Sequence, residues 1–345
     1  MPSGEPARAV REKVVGVIGA GSFGTTMATV LSRAGCTVLL YARDQECVDE
    51  INRSHSNARF FPDFTLSKRI RATTVLAEVC AEATLIFPIV PAKAFRSVMR
   101  TMAPHLRAEH VLVHGTKGLE RDSFKTMTTL IREETCVRLV GAIAGPNLAS
   151  EIMQGLPSAT VVGSRFDEVI TLASSALQSE NFLVYGNRDL AGVELGGALK
   201  NILAIASGVI DGAALGTNAK SLLITRGVAE LMRFGTHFGA DARTFTGLSG
   251  VGDIIATCSS TLSRNYQVGF RLGRGDKLAA ILKAMTQVAE GVDMTAIVHD
   301  YAVANKVSMP LTAGLFALMH EGAPLSSVRA ELMGSHAPFE IDRPA

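Results

Sequence analysis

The chain lacks the residues in the patterns that would cross-link it, bind a metal or commit it to a charged partner. Its five cysteines, Cys36, Cys47, Cys80, Cys136 and Cys258, are odd in number, widely spaced and free of any C-x-x-C pair. That excludes a disulfide framework and a cysteine zinc site, and points to a reducing cytoplasm. The eight histidines form no H-E-x-x-H or related spacing, so no metal centre is expected. Charge is restrained too: charged residues make up 19% and the net charge is +2. Without a polybasic face, nucleic acid is not an expected partner.

An uninterrupted apolar run is also missing near the start. Arg8, Arg11 and Lys13 precede an uncharged stretch, 14–32, with the outline of a signal peptide or membrane span. Gly16, Gly19, Gly21 and Gly24 break it, leaving only 14–18 as a hydrophobic segment of strand length. Neither export nor a membrane span is expected.

What the chain does have is size and alternation. Its 345 residues, 47% of them hydrophobic, suffice for two cores. Strand patterns at 13–18, 37–41, 85–90, 111–114, 137–143 and 159–162 are separated by helical or polar stretches, which predicts a doubly wound, mostly parallel sheet. Gly19-Ala20-Gly21-Ser22-Phe23-Gly24 follows the first strand, and 25–34 reads as a helix. This strand, turn and helix form the Rossmann context in which G-x-G-x-x-G binds a dinucleotide: Gly19 makes the turn, Gly21 admits the pyrophosphate and Gly24 lets helix and sheet approach. Beyond the second strand Arg43 and Asp44 stand side by side; either can report on the ribose, or both can be solvated. Arg43 is taken here as the inward one, which implies tolerance of NADPH.

Two later strands lead into Gly115-Thr116-Lys117-Gly118 and Gly145-Pro146-Asn147. Such loops lie at carboxyl strand ends, where ligands bind in this architecture. From about Leu190 helical patterns take over. The chain is therefore read as an α/β protein with a dinucleotide-binding Rossmann domain at 12–189, a mainly α-helical substrate-binding domain at 190–334, and flexible tails at 1–11 and 335–345.

Within 193–211, Lys200 is a charged amine on an apolar helix. Residues three and four apart align with it on a small face of Gly196, Gly197, Ala204, Ser207 and Gly208, opposite a stripe of Leu195, Leu199, Ile202, Ala206 and Val209. The small face leaves room for a close neighbour; a lysine there meets a ligand or snorkels beside a packed helix. In the next helix, 218–234, Arg226 and Glu230 are spaced to pair. Gly247-Leu248-Ser249-Gly250-Val251-Gly252 then delivers Asp253 to a helix start, as a ligand contact or an N-cap. Ser263-Arg264-Asn265 heads another helix, where Ser263 is placed to cap and the triplet can cradle a phosphate.

Together these segments resemble the bacterial-type NAD(P)-dependent glycerol-3-phosphate dehydrogenase family, from Gly19 to about Thr295. The most specific stretches are GTKGLE at 115–120, ELGGALKNILAIASGVIDG at 194–212, NAKSLLITRGVAEL at 218–231, GLSGVGD and SRN. The resemblance implies NAD or NADP as cofactor, contacted by Ser22, Phe23, Arg43, Lys117, Ala149, Arg264 and Glu290. It implies dihydroxyacetone phosphate and sn-glycerol 3-phosphate as the reacting pair, held by Lys117, Gly145, Asn147, Lys200, Asp253, Ser263, Arg264 and Asn265, with Lys200 catalytic and the product feeding phospholipid synthesis. Two departures stand out: Asn147 and Leu148 replace the family's usual serine and phenylalanine, and Phe23 stands where some members have tryptophan. The rival readings are another two-domain hydroxy-acid or sugar-acid dehydrogenase and a non-catalytic dinucleotide sensor. Oligomeric state is open, with a homodimer the assembly to test.

Overall fold

A computed structural model describes residues 14–285 and 289–334; the expected tails lie outside them. The chain forms two compact units, one of residues 1–200 and 235–256, the other of 201–234 and 257–345. The sequence suggests one cut at 189/190, whereas the units part within the helix Leu190–Gly212, between Lys200 and Asn201. The first half of that helix belongs with the sheet because Gly192 and Gly196 pack on the returning segment 235–256 and Gly197 on Ala144.

The first unit is built on eight strands: β1 Val14–Ile18, β2 Thr37–Tyr41, β3 Ile70–Thr73, β4 Leu85–Pro88, β5 Val111–His114, β6 Leu139–Ala144, β7 Ser158–Gly163 and β8 Phe182–Asn187. Their order is β3-β2-β1-β4-β5-β6-β7-β8. Neighbours from β3 through β6 are parallel. β7 runs antiparallel to β6, with Ala144 opposite Val161, and β8 is parallel to β7. Because the winding reverses between β1 and β4, a crevice opens at their carboxyl ends.

Period-two alternation divides the strand side chains between two cores. Val15, Val17, Leu40, Phe87 and Val113 pack with Met27 and Leu31 of the helix Ser22–Arg33. Ile18, Leu39, Ile86 and Leu112 pack on the other face with Phe95, Met99 and Leu130. With both faces covered, the inner strands read as continuous apolar runs, which is why they are legible in sequence. β3 and β8 are the strands that sequence reading missed. β3 is four residues long with an exposed Arg71 inside it, and β8 lies at the sheet edge with Leu183 and Tyr185 exposed.

Among its described residues the second unit has helices and connecting turns but no strand. It holds the latter part of Leu190–Gly212, most of Thr217–His237, and the helices Arg264–Gly273, Leu278–Ala284, Glu290–Asn305, Pro310–Phe316 and Leu325–Gly334. Two of these touch backbone to backbone. A Cβ at Gly208 would lie 2.1 Å from Tyr266 O, and one at Gly269 would lie 1.8 Å from Ile205 O, so each helix uses a glycine to admit the other. Leu190–Gly212 is long and apolar enough to cross a membrane, but 94% of its apolar window is buried within the protein, as befits a core helix.

The expected Arg226–Glu230 pair does not form. Glu230 faces inward and accepts from Leu311 N at 2.5 Å, Thr312 N at 3.2 Å and Thr312 Oγ1 at 3.1 Å, at the start of Pro310–Phe316, while Arg226 is exposed. Burial pushes the Glu230 carboxyl up to about 7, against the pull of those hydrogen bonds.

Candidate active site

The glycine turn separates glycines the fold needs from one it does not. Gly19 has φ +115°, and a Cβ there would lie 2.3 Å from Ile89 O; a Cβ at Gly24 would lie 1.7 Å from Gly19 O. At Gly21 a Cβ would meet nothing within 4 Å. The helix begins at Ser22, three residues before the expected start, with no side-chain cap bond and no acid in its first turn. Its N-terminal amides and positive dipole end therefore suit an anion. Asn57, which sequence reading missed, fixes this turn by donating to Ala20 O at 3.0 Å and Thr25 Oγ1 at 2.9 Å. It lies far along the chain in an irregular stretch, so no spacing points to it. Arg43 and Asp44 are both exposed just beyond β2.

Lys117 follows β5, and its Nζ lies 5.6 Å from the centroid of the Phe23 ring, a cation–π contact. The same amine lies 3.8 Å from Asp253 Oδ2. Lys200 is buried at 5% exposure and Asp253 at 1%; Lys200 Nζ donates to Asp253 Oδ1. Three of the expected residues thus meet in the first unit: the buried pair Lys200 and Asp253, with the half-buried Lys117 beside it. Desolvation pushes the Lys200 amine down to about 8, Lys117 acts in the same direction, and Asp253 opposes both.

The small face of the lysine helix is occupied by backbone. A Cβ at Gly196 would lie 2.4 Å from Ser249 O, and within the neighbouring turn a Cβ at Gly250 would lie 1.9 Å from Phe245 O. The close neighbour for which this face leaves room is therefore backbone at Gly196: Gly196 and Gly250 let the π-helical turn Leu248–Gly252 settle against the helix, placing Asp253 at the start of Asp253–Ser259, as the glycine run led one to expect. Six residues before Lys200, buried Glu194 accepts from Thr128 N at 2.9 Å and Thr128 Oγ1 at 2.6 Å, with His114 Nε2 at 3.1 Å. Burial raises the Glu194 carboxyl, but His114 and Thr128 outweigh it and hold it below its ordinary value. These contacts tie the helix to β5, and sequence reading did not single out Glu194.

Gly145, with φ +151°, opens the loop after β6. Asn147 Nδ2 donates to Ala159 O at 3.0 Å, and Ala149 begins the helix Ala149–Gln154. A Cβ at Gly197 would lie 3.0 Å from Ala144 Cβ, which sets the end of β6 against the lysine helix one turn before Lys200.

The remaining expected residues belong to the second unit. Ser263 caps Arg264–Gly273 as expected, accepting from Tyr266 N at 3.3 Å. Arg264 is exposed. Asn265 Oδ1 accepts from Gly291 N at 3.0 Å, beside Glu290 at the start of Glu290–Asn305. Its oxygen is thus engaged within the protein, and its amide nitrogen is the end that can donate to an anion.

The chain matches the family descriptions "NAD-dependent glycerol-3-phosphate dehydrogenase N-terminus" over residues 14–170 and "C-terminus" over 189–329. It is 44% identical over 319 residues to a glycerol-3-phosphate dehydrogenase [NAD(P)+] of Acinetobacter baylyi, covering 92% of this chain and 89% of the relative. It is 42% identical over 326 residues to that of Psychrobacter cryohalolentis, covering 94% and 75%. The crystal structure of glycerol-3-phosphate dehydrogenase from Coxiella burnetii superposes with a TM-score of 0.88 at 36% identity, covering 93% of this chain and 98% of that one. On these matches the chain belongs to the NAD(P)-dependent glycerol-3-phosphate dehydrogenases, oxidoreductases whose cofactor is NAD or NADP.

Proposed function

We propose that the chain reversibly reduces dihydroxyacetone phosphate to sn-glycerol 3-phosphate, with Lys200 as the proton donor. The observation that carries this reading is the buried Lys200–Asp253 pair with Lys117 beside it, in a chain of this family. When bound, the nicotinamide cofactor supplies the hydride that adds to C2 of the ketone. That addition builds negative charge on the C2 oxygen, and Lys200 Nζ delivers the proton that quenches it; in oxidation the neutral amine takes the proton back. Asp253 orients Nζ, and Lys117 adds positive charge for the substrate's anionic end.

Gly21 and the amides from Ser22 onward suit the cofactor's pyrophosphate, because the protein's own packing leaves Gly21 open. Gly19 and Gly24 shape that turn; Phe23, Arg43, Lys117, Ala149, Arg264 and Glu290 complete the proposed cofactor contacts. Gly145, Asn147, Lys117, Lys200, Asp253, Ser263, Arg264 and Asn265 are the proposed substrate contacts. In this assignment 12–189 is the dinucleotide-binding domain, which also lends Lys117, Gly145 and Asn147 to the substrate, and 190–334 is the substrate-binding domain, which also lends Arg264 and Glu290 to the cofactor; the enzyme works in the cytoplasm, its product supplies glycerophospholipid synthesis, and a homodimer is the assembly to test.

The test is oxidation of NADH and NADPH with dihydroxyacetone phosphate, unphosphorylated dihydroxyacetone and a panel of keto acids. Turnover confined to the phosphorylated ketone is the expected outcome. Activity on a keto acid instead would reassign the chain to hydroxy-acid chemistry, and cofactor binding without turnover of any ketone would make it a sensor.

A further inference from the structure

Resting on the reduction proposed above, we infer that Arg96 and Glu120 are positioning residues for it: their ion pair latches the loop that carries Lys117, and so sets where that amine stands for the substrate's anionic end. The Lys117 amine stands 5.6 Å from the Phe23 ring centroid and 3.8 Å from Asp253 Oδ2, distances at which a flexible four-carbon stem is not fixed by its tip. Lys200 beside it is a second amine, and each disfavours the charge of the other. The place of the Lys117 amine is therefore decided by its backbone. Before it, Thr116 Oγ1 donates to Val90 O at 2.7 Å and accepts from Val90 N at 3.2 Å, which fastens the loop to the segment beyond β4. After it comes Gly118 at φ +138°, a residue that gives the chain latitude rather than restraint.

Two residues further on, Glu120 supplies the restraint. Arg96, on the helix Ala92–Met102, donates from Nε to Glu120 Oε1 at 2.6 Å and from Nη2 to Glu120 Oε2 at 2.7 Å. Both side chains are 22% exposed, so this fork is screened less than a surface pair, and its two parallel bonds fix direction as well as distance. Arg96 holds the Glu120 carboxyl down at about 2, and the pair stays charged at neutral pH. Arg96 is itself anchored, since Nη2 reaches Glu133 Oε2 at 3.0 Å and Nη1 reaches Glu134, at the end of the helix Met127–Glu134. The loop also closes on Glu120 through its backbone: Glu120 N donates to Lys125 O and Phe124 N to Glu120 O, each at 2.9 Å. One carboxylate thus joins the Lys117 loop to the helices on either side of it in sequence.

The experiment uses the full chain and steady-state kinetics with dihydroxyacetone phosphate. Glu120→Ala leaves Arg96 paired with Glu133 and Glu134, so no charge is stranded. Displacement of Lys117 is expected to raise KM by about 10-fold or more, with kcat little changed. A structural fault alone lowers the folded fraction and with it kcat, at unchanged KM; that result, or no change in either constant, overturns the inference. The same substitution in a Lys117→Met background is expected to change kcat/KM by less than about 2-fold, and a further loss as large as in the native background overturns the inference. Should Glu120→Ala not fold, Arg96→Lys takes its place, because the ammonium keeps the charge and loses the fork. KM is then expected to rise by about 3-fold or more, and an unchanged KM overturns the inference. Failure of the native chain to reduce dihydroxyacetone phosphate would instead defeat the reading on which this one rests.

Discussion

Asp253 Oδ1 accepts from Lys200 Nζ across a buried contact, while its other oxygen lies 3.8 Å from Lys117 Nζ. One carboxylate thus serves two amines, and it is the group that supports the charged form of Lys200 against desolvation. In the reducing direction Lys200 acts as ammonium, so kcat/KM should fall as pH rises through about 8. In the oxidising direction it acts as neutral amine, so the rate should rise through the same interval. Asp253→Asn removes the support and should move both limbs to lower pH, as read from pH profiles in each direction; limbs that stay in place would show that Lys200 is not the titrating group.

Lys200→Ala removes the proposed proton donor while leaving the glycine turn untouched. The loss should fall on kcat, by about 10²-fold or more, with cofactor affinity retained in fluorescence titration. A rise in KM alone would assign Lys200 to binding.

Gly21 and Gly24 give a paired test of the turn. Gly24→Ala forces a Cβ to 1.7 Å from Gly19 O and should lower Tm sharply. Gly21→Ala meets no protein atom within 4 Å, so its Tm should hold while Kd for NADH and NADPH weakens by about 10-fold or more, in keeping with a backbone amide site that tolerates no side chain. Equal cofactor affinity in Gly21→Ala would place the pyrophosphate elsewhere.

Arg43→Glu examines cofactor choice. Replacing an exposed cation beyond β2 with an anion should cost NADPH more than NADH, by about 10-fold or more in kcat/KM if Arg43 meets the 2′-phosphate. An unchanged ratio would make Arg43 a solvated turn residue.

Glu230 gives a stability prediction in the second unit. Its carboxyl titrates near 7 in the folded chain against an ordinary 4.5. Between those values the folded state holds the proton more tightly than the unfolded state, so stability should fall as pH rises from about 4.5 to 7. Glu230→Gln cannot titrate, and its Tm should vary less over that interval than the native protein's, whatever the substitution costs at a fixed pH.

Much of the sheet was legible because its inner strands are apolar on both faces, as β1, β4 and β5 show, and because the glycine turn sits between a strand and a helix. β3 and β8 escaped because an edge strand needs fewer apolar residues and tolerates Arg71 or an exposed Tyr185. Lys200, Lys117 and Asp253 were singled out from separate segments, yet their meeting depends on Gly196 and Gly250, whose task only packing distances reveal. Asn57 carried no signal at all, and Glu194 none beyond opening the stretch 194–212: each is a polar residue whose partners are remote in the chain. The helical pattern suggested that Arg226 and Glu230 pair, since spacing reports which residues share a helix face and not which way that face turns.

The reversal of β7 has its own effect on how this rim of the sheet can change. With Ala144 opposite Val161, the beginning of β7, rather than its end, extends alongside the loop after β6, and this is how Ala159 O comes to hold Asn147. At this edge the segment entering a strand becomes part of the rim that elsewhere is made by segments leaving one. The short turn 155–157 therefore bears on where the loop after β6 sits, since lengthening or redirecting the entry to β7 would move Ala159 O and the Asn147 it holds while the glycine turn and Lys200 keep their own sequences intact.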